Sequence, residues 1–186
     1  MRKRINKSSI LRMALTTISF LFLFTLLVNA QYNENIIKAA YIERITRFVE
    51  WPVNDKSLSA DRFVLGVFGE TDFYNTLTDV FKEKPIKDHQ VTVILIKSPE
   101  QVNTCDICYI SEKAKPLLSK FVDAANSNGV LLISETTDFC KEGVHINFYL
   151  ENEKLKFEIN EKSITSAGFK VSYLLMQNTR LIQWIK

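Results

Sequence analysis

The segment Gln90-Val91-Thr92-Val93-Ile94-Leu95-Ile96-Lys97 is apolar at Val91, Val93, Ile94, Leu95 and Ile96. A strand with one wet face alternates apolar and polar residues. A strand apolar on successive residues belongs to a sheet covered on both faces. The same character recurs at Arg62–Phe68, which ends at Gly69, and at Asp106–Ile110 and Val130–Ile133. Helical spacing fills the intervals. Phe73, Leu77, Val80 and Phe81 follow Thr71. Leu117, Leu118, Phe121, Val122 and Ala125 follow Ser111 or Glu112, and Asn128-Gly129 ends that run. Strand–helix alternation of this kind predicts a mostly parallel α/β sheet with right-handed crossovers.

Towards the N-terminus, Ile36, Ile37, Ala40, Tyr41, Ile45, Phe48 and Val49 recur at helical spacing after a capping Asn33 or Asn35. Pro52 stops this helix and pins Trp51 at its exit. Asn54–Asp61 reads as a polar loop and Glu83–Asp88 as a turn around Pro85. Past residue 143 the pattern changes. Val144–Leu150 and Lys154–Ile159 read as two strands joined through Glu151-Asn152-Glu153, a hairpin. Asn160 caps a short helix through Ala167, Gly168 breaks it, and Phe169–Lys186 is predicted to continue as a helix. The expected fold class is a three-layer α/β sandwich, a mostly parallel sheet with an antiparallel C-terminal hairpin. No linker divides it, so residues 31–186 are expected to form one domain.

The whole chain of 186 residues has 24 Lys and Arg against 21 Asp and Glu, a formal charge of +3. Five of the basic groups (Arg2, Lys3, Arg4, Lys7, Arg12) lie in the first 30 residues, which hold no acidic one. Without them 19 basic groups face 21 acidic ones, a net of −2. That balance gives no support to nucleic-acid binding. With 46% hydrophobic residues, five Gly and four Pro, the chain is neither disordered nor fibrous. Ile18–Val28 is an almost wholly apolar run of 11 residues, short of the roughly 20 that span a bilayer. Basic flank, apolar core and Val28-Asn29-Ala30 together predict a signal peptide over residues 1–30, cut after Ala30, and a periplasmic mature chain.

Chemistry-bearing patterns are sparse. Cys105, Cys108 and Cys140 are three thiols in a chain expected to be exported, so one disulfide among them, of undetermined pairing, or buried thiols, is the expectation. Cys105-Asp106-Ile107-Cys108 has redox spacing but runs into a strand rather than a helix N-terminus. Cys105, Cys108, Cys140 and His145 make a poor zinc set, having no second tight ligand pair. Gly66 and Gly69 lack the third glycine or the Lys-Ser/Thr of a phosphate loop. The two histidines, His89 and His145, enter no nucleophile arrangement, and there is no G-x-S-x-G elbow. No catalytic residue, metal or cofactor is therefore expected. Tyr41, Phe48, Trp51 and Pro52 are candidate walls of a small-ligand pocket.

Two sets of residues resemble a known family when taken together. Lys38-Ala39-Ala40-Tyr41 with Phe48-Val49-Glu50-Trp51-Pro52 is similar to the opening signature of the YfiR family. Gly143-Val144-His145-Ile146-Asn147-Phe148, Phe157-Glu158-Ile159-Asn160, Ala167-Gly168-Phe169-Lys170-Val171-Ser172 and Leu174-Leu175 resemble its C-terminal block. Cys105–Ile110 followed by Ser111 resembles the strand between them. The likeness runs from about Ile36 to Ile182. It implies a small periplasmic α/β regulator, dimeric and not an enzyme. Such a regulator would bind and inhibit the periplasmic sensor domain of an inner-membrane receptor, a diguanylate cyclase controlling cyclic-di-GMP or a sensor histidine kinase. It also implies that partner contact involves Ile146, Asn147, Phe148, Phe157, Glu158, Ile159, Asn160 and Ile164, the outward-facing ones by touch and the inward-facing ones by shape. Three cysteines depart from the two disulfides of the family's named member, since they cannot form two intrachain bridges, and Phe169 stands where leucine is usual.

Overall fold

The structure is a computed structural model that describes residues 34–52, 62–177 and 179–182. The expected signal segment 1–30 and the polar loop at 54–61 lie outside these residues. In chain order the elements are helix α1 (34–46), β1 (Val49–Glu50), β2 (Arg62–Phe68), α2 (Thr71–Phe81) and β3 (Gln90–Leu95). Then come β4 (Ile107–Ile110), α3 (Leu118–Asn128), β5 (Leu131–Ser134), β6 (Ile146–Glu151) and β7 (Lys154–Asn160). The C-terminal part holds α4 (Glu161–Ser166), β8 (Lys170–Val171), α5 (Tyr173–Met176) and β9 (Arg180–Ile182).

Seven strands form one sheet in the order β3-β2-β4-β5-β6-β7-β9. The first five run parallel, β7 turns back antiparallel to β6, and β9 runs parallel to β7. The central strands show why the sequence reads as it does. In β4, Ile107 and Tyr109 enter the core shared with α1 and α2 through Ile42, Ile45, Phe73 and Leu77. Cys108 and Ile110 enter the opposite core, with Phe121 and Ala125 of α3. All four are fully buried, as are Leu131, Leu132 and Ile133 of β5. Each such side chain contributes roughly 1.5–3 kcal/mol of burial. This is the expected α/β sandwich with an antiparallel C-terminal hairpin.

Three expectations shift in detail. The first helix ends at residue 46 and not at Pro52, because Val49–Glu50 pairs antiparallel with Lys170–Val171. Phe48 therefore sits in the turn that follows the helix, and Trp51 just past β1. The helix predicted over Phe169–Lys186 is overturned: its described part is β8, one turn of α5, and β9. Long-range pairing with β1 and β7 wins there over a helical spacing of apolar residues. Residues 183–186 lie outside the description. Finally, Glu112–Leu117 is a 3-10 segment ahead of α3, since Pro116 denies it an α-helical hydrogen bond. A second 3-10 segment, Pro99–Thr104, carries the crossover from β3 to β4 and has no counterpart in the sequence reading.

Two turns decide the hairpin and the layer spacing. Asn152 and Glu153 both take left-handed φ, 51° and 60°, a two-residue turn whose twist suits antiparallel strands. Gly66 on β2 sits under the crossover. A Cβ added there would lie 2.5 Å from Cys105 Sγ and 2.8 Å from Ile96 Cγ1. Gly66→Ala is expected to destabilise the fold by about 1–3 kcal/mol through overpacking, read as a lower midpoint in urea unfolding.

Candidate functional site

An open groove of about 1210 Å³ runs between α1 and the hairpin. Tyr41, Arg44, Ile45 and Phe48 form one wall, Tyr149 and Lys154–Phe157 the other, and Leu174, Leu175 and Arg180 close its end. Tyr41 sets the depth. Its ring meets Phe148 and Phe157 edge-on at 6.2 and 5.8 Å, and its hydroxyl donates to Leu155 O at 3.3 Å. Arg180 fastens the C-terminal strand to the hairpin. Its guanidinium lies 4.4 Å over the Tyr149 ring, 3.3 Å from Glu151 and 3.7 Å from Glu158. Of the four expected pocket residues, Tyr41 and Phe48 line this groove. Trp51 and Pro52 do not join them.

Trp51 is instead a structural clamp. Its ring stands edge-on to Phe63 and Phe169 at 5.6 and 5.7 Å, and its Nε1–H donates to Asp106 O at 3.2 Å. Lys87 Nζ lies 4.5 Å above the same ring and donates to Val49 O at 2.8 Å. Burial holds the Lys87 ammonium below its ordinary pKa, against the pull of Glu50. Pro52 packs beside Gly168, where an added Cβ would meet its ring at 3.1 Å. The Trp-Pro motif thus joins the start of the chain's core to the turn after α4.

The eight positions implied for partner contact, seven on the hairpin and Ile164 on α4, are all buried, the most exposed being Phe157 and Glu158 at 8%. Ile146, Phe148, Phe157, Ile159 and Ile164 pack in the core beneath α1. Asn147, Glu158 and Asn160 alternate with these and lie on the other face of the sheet. Asn160 caps α4 by accepting from Ser163 N at 2.8 Å, and donates to Cys140 O at 2.7 Å. Burial raises the pKa of the Glu158 carboxyl, opposed by Arg180, a hydrogen bond from Asn147, and Lys141. These residues shape the hairpin. The apolar groups open to solvent beside them are Leu150 (59%), Tyr173 (71%), Leu174 (61%) and Leu181. Sequence reading placed Leu181 on a helix where the structure has β9, and it ran Tyr173 and Leu174 into one long helix whose exposed side it did not identify. The alternation Ile146, Phe148, Leu150 was the available signal for Leu150.

The remaining chemical groups are inward-looking. Among the described residues the three cysteines are buried thiols, none bridged to another. Burial raises the pKa of both Cys108 and Cys140, which keeps these sulfurs protonated and poor nucleophiles. No cluster of three or more His, Cys, Asp or Glu able to hold a metal occurs among the described residues. His145 is engaged on both nitrogens. Nδ1 accepts from Leu132 N at 3.0 Å, which leaves Nε2–H to donate to Asn126 Oδ1 at 2.8 Å. At the carboxyl ends of the parallel strands a smaller cleft of about 480 Å³ is bordered by Glu70, Ser111, Glu112, Lys115 and Glu135. Buried Lys38, from the opening motif, pairs there with Glu135. Lys113 Nζ donates to Gly69 O at 2.8 Å, so the Gly66–Gly69 turn is occupied by the protein's own side chain.

The sequence profile of the YfiR/HmsC-like family matches residues 35–180. The chain belongs to that family. The family is in general one of periplasmic regulators that work with a membrane signalling protein. No protein of curated function matches the sequence. Among solved structures, a ligand-free, open substrate-binding protein with adhesive properties from Clostridium difficile has a TM-score of 0.51 at 11% identity, over 66% of this chain and 55% of that one. An ABC domain in complex with L-Trp from Streptococcus pneumonia has a TM-score of 0.49 at 12% identity, over 68% and 57%. A conserved domain protein from Vibrio cholerae has 0.49 at 10%, over 64% and 54%. The chain thus spans little more than half the length of each. The first of these likenesses supports the α/β fold and nothing finer.

Burial pushes the His145 pKa from 6.5 down to about 3. The unfolded chain therefore binds a proton below pH 6.5 that the folded protein refuses. The stability concerned is complete above pH 6.5 and is lost as pH falls towards 3. Between pH 7 and pH 5 this group should remove about 2 kcal/mol of unfolding free energy. Urea unfolding at a series of pH values checks it, and His145→Gln should flatten that part of the profile.

Proposed function

We propose that the chain is a periplasmic signalling regulator that binds the periplasmic sensor domain of an inner-membrane receptor and holds it inactive. The receptor is a diguanylate cyclase or a sensor histidine kinase, and the regulator works as a homodimer without catalysing a reaction. The observation that carries this reading is the family match across residues 35–180, the whole α/β unit from α1 to β9. The export signal expected at residues 1–30 agrees with it. Exposed Leu150, Tyr173 and Leu174 beside the groove supply apolar surface of the kind a partner would cover. The seven buried hairpin residues and Ile164 of α4 then act through the shape they give that surface.

Such a role needs only unequal affinity for two receptor states. Moving a receptor from 99% active to 99% inactive takes about 5.5 kcal/mol of preference. Deletion of the encoding gene is expected to raise cyclic-di-GMP or kinase output, and re-expression to restore it. Unchanged levels of both would sink the reading. A Leu174→Asp variant should be exported and folded yet lose at least about tenfold of its receptor affinity in pull-down titrations, as removal of a central apolar contact does.

The groove favours a second reading, a small-molecule-binding module. Its walls offer the Tyr41 and Phe48 rings beside the Arg44 guanidinium, apolar area with a polar handle. Under this reading a metabolite screen finds a compound that raises the melting temperature of the wild type and not of Tyr41→Ala.

A further inference from the structure

The apolar run at Gln90–Leu95 is not a central strand. Among the described residues β3 is the outer strand of the sheet, paired on one side only, with β2. Its residues are half-buried or exposed, and Leu95 keeps 46% of its surface. Natural edge strands are blunted by charge, proline, bulges or short length. Gln90–Leu95 has no charge and no proline, and its six residues pair with β2 in unbroken register from Gln90 to Leu95. The other edge of the sheet is managed: β9 has three residues and carries Arg180. β3 thus stands at an edge without the devices that keep an edge from pairing.

We propose that the missing neighbour is β3 of a second copy, paired antiparallel about a two-fold axis normal to the sheet. This rests on the dimeric reading above and gives it a surface. An axis of that kind keeps the faces of the sheet, so opposing residues must share a face, and a pairing centred on Val93 satisfies this. It places Val93 opposite Val93, and Val91 opposite Leu95, in both copies. Val91 and Val93 already pack against the core of one face. By strand alternation Leu95 shares that face, so the pairing prolongs an apolar row across the axis. On the other face Thr92 meets Ile94. The register also brings exposed Asp88 of each copy to the corner holding exposed Lys97 of the other. Neither residue has an ion pair among the described residues, so the two-fold supplies two complementary contacts. An isologous interface of this type makes one continuous sheet of fourteen strands from two of seven.

The test uses protein purified after export, with mass measured by sedimentation velocity across a dilution series. The wild type should be a dimer. Leu95→Lys, at a half-exposed site that spares the fold, should raise the dimer dissociation constant by about a hundredfold or more, since edge lysine blocks strand pairing. Lys97→Asp places like charges at both corners and should raise it by about tenfold, while the swap Asp88→Lys with Lys97→Asp should return it to within a few fold of wild type. A monomeric wild type overturns the proposal together with the dimeric reading, leaving the regulator reading in place. A dimer that Leu95→Lys leaves intact, with unchanged circular dichroism, overturns this surface and keeps the dimer. Failure of the charge swap to restore pairing overturns the register.

Discussion

Burial of β4 and β5 on both faces is the constraint on which the remainder of the structure rests. Neither strand offers a polar side to water, and even Ser134 is buried with its hydroxyl donating to Ile110 O, so layers must cover the sheet above and below. α1 and α2 supply one layer, α3 and the 3-10 segments the other. Close packing in both then dictates single residues. Gly66 has no room for a Cβ beneath the β3–β4 crossover. Asp106 ties β2 to the start of β4 by accepting from Val64 N at 2.7 Å, and its carbonyl takes the Trp51 N–H. The motif tryptophan is thereby a strut of the core.

The hairpin β6–β7 applies the same economy to polar groups. Asn160, His145 and Ser163 are buried, and each finds partners within the fold. Asn160 joins β7, α4 and the loop at Cys140 in one side chain. A regulator gains from such stiffness. If its surface is to prefer one receptor state, the loops and side chains that form that surface must already be held in place, because ordering them on binding would cost affinity. Arg180 extends the principle to the chain's C-terminal part by gripping Tyr149, Glu151 and Glu158 together.

Much of this was legible in the sequence because it follows from local periodicity. The runs at β2, β4 and β5, the helical faces of α2 and α3, the Asn128-Gly129 stop and the Asn160 cap each announce themselves within a dozen residues. What failed was non-local. Phe169–Ile182 has helical spacing, yet β1 and β7 lie in wait as strand partners, and their hydrogen bonds decide the outcome. Trp51 has the look of a pocket wall because sequence cannot show Phe63, Phe169 and Lys87 gathered around it. The family-like residues of the hairpin lie beneath the surface, which sequence cannot show, and of the exposed apolar groups near them only Leu174 belongs to a family-like stretch.

Gln90–Lys97 shows where the division lies. Its apolar run settles that the protein is a covered α/β sheet, since no arrangement with a wet face would tolerate it. The motif blocks elsewhere in the chain suffice for the family. Whether β3 stands in the centre or at the edge depends on the crossovers, which are choices of topology made between segments far apart in the chain. Side-chain period reports which faces of a strand are dry, and it is silent on what lies beside the strand, because the lateral neighbour is bonded through the backbone, which every residue shares. The tertiary structure alone puts β3 outermost, sets the groove between α1 and the hairpin, and turns the family-like hairpin residues inward.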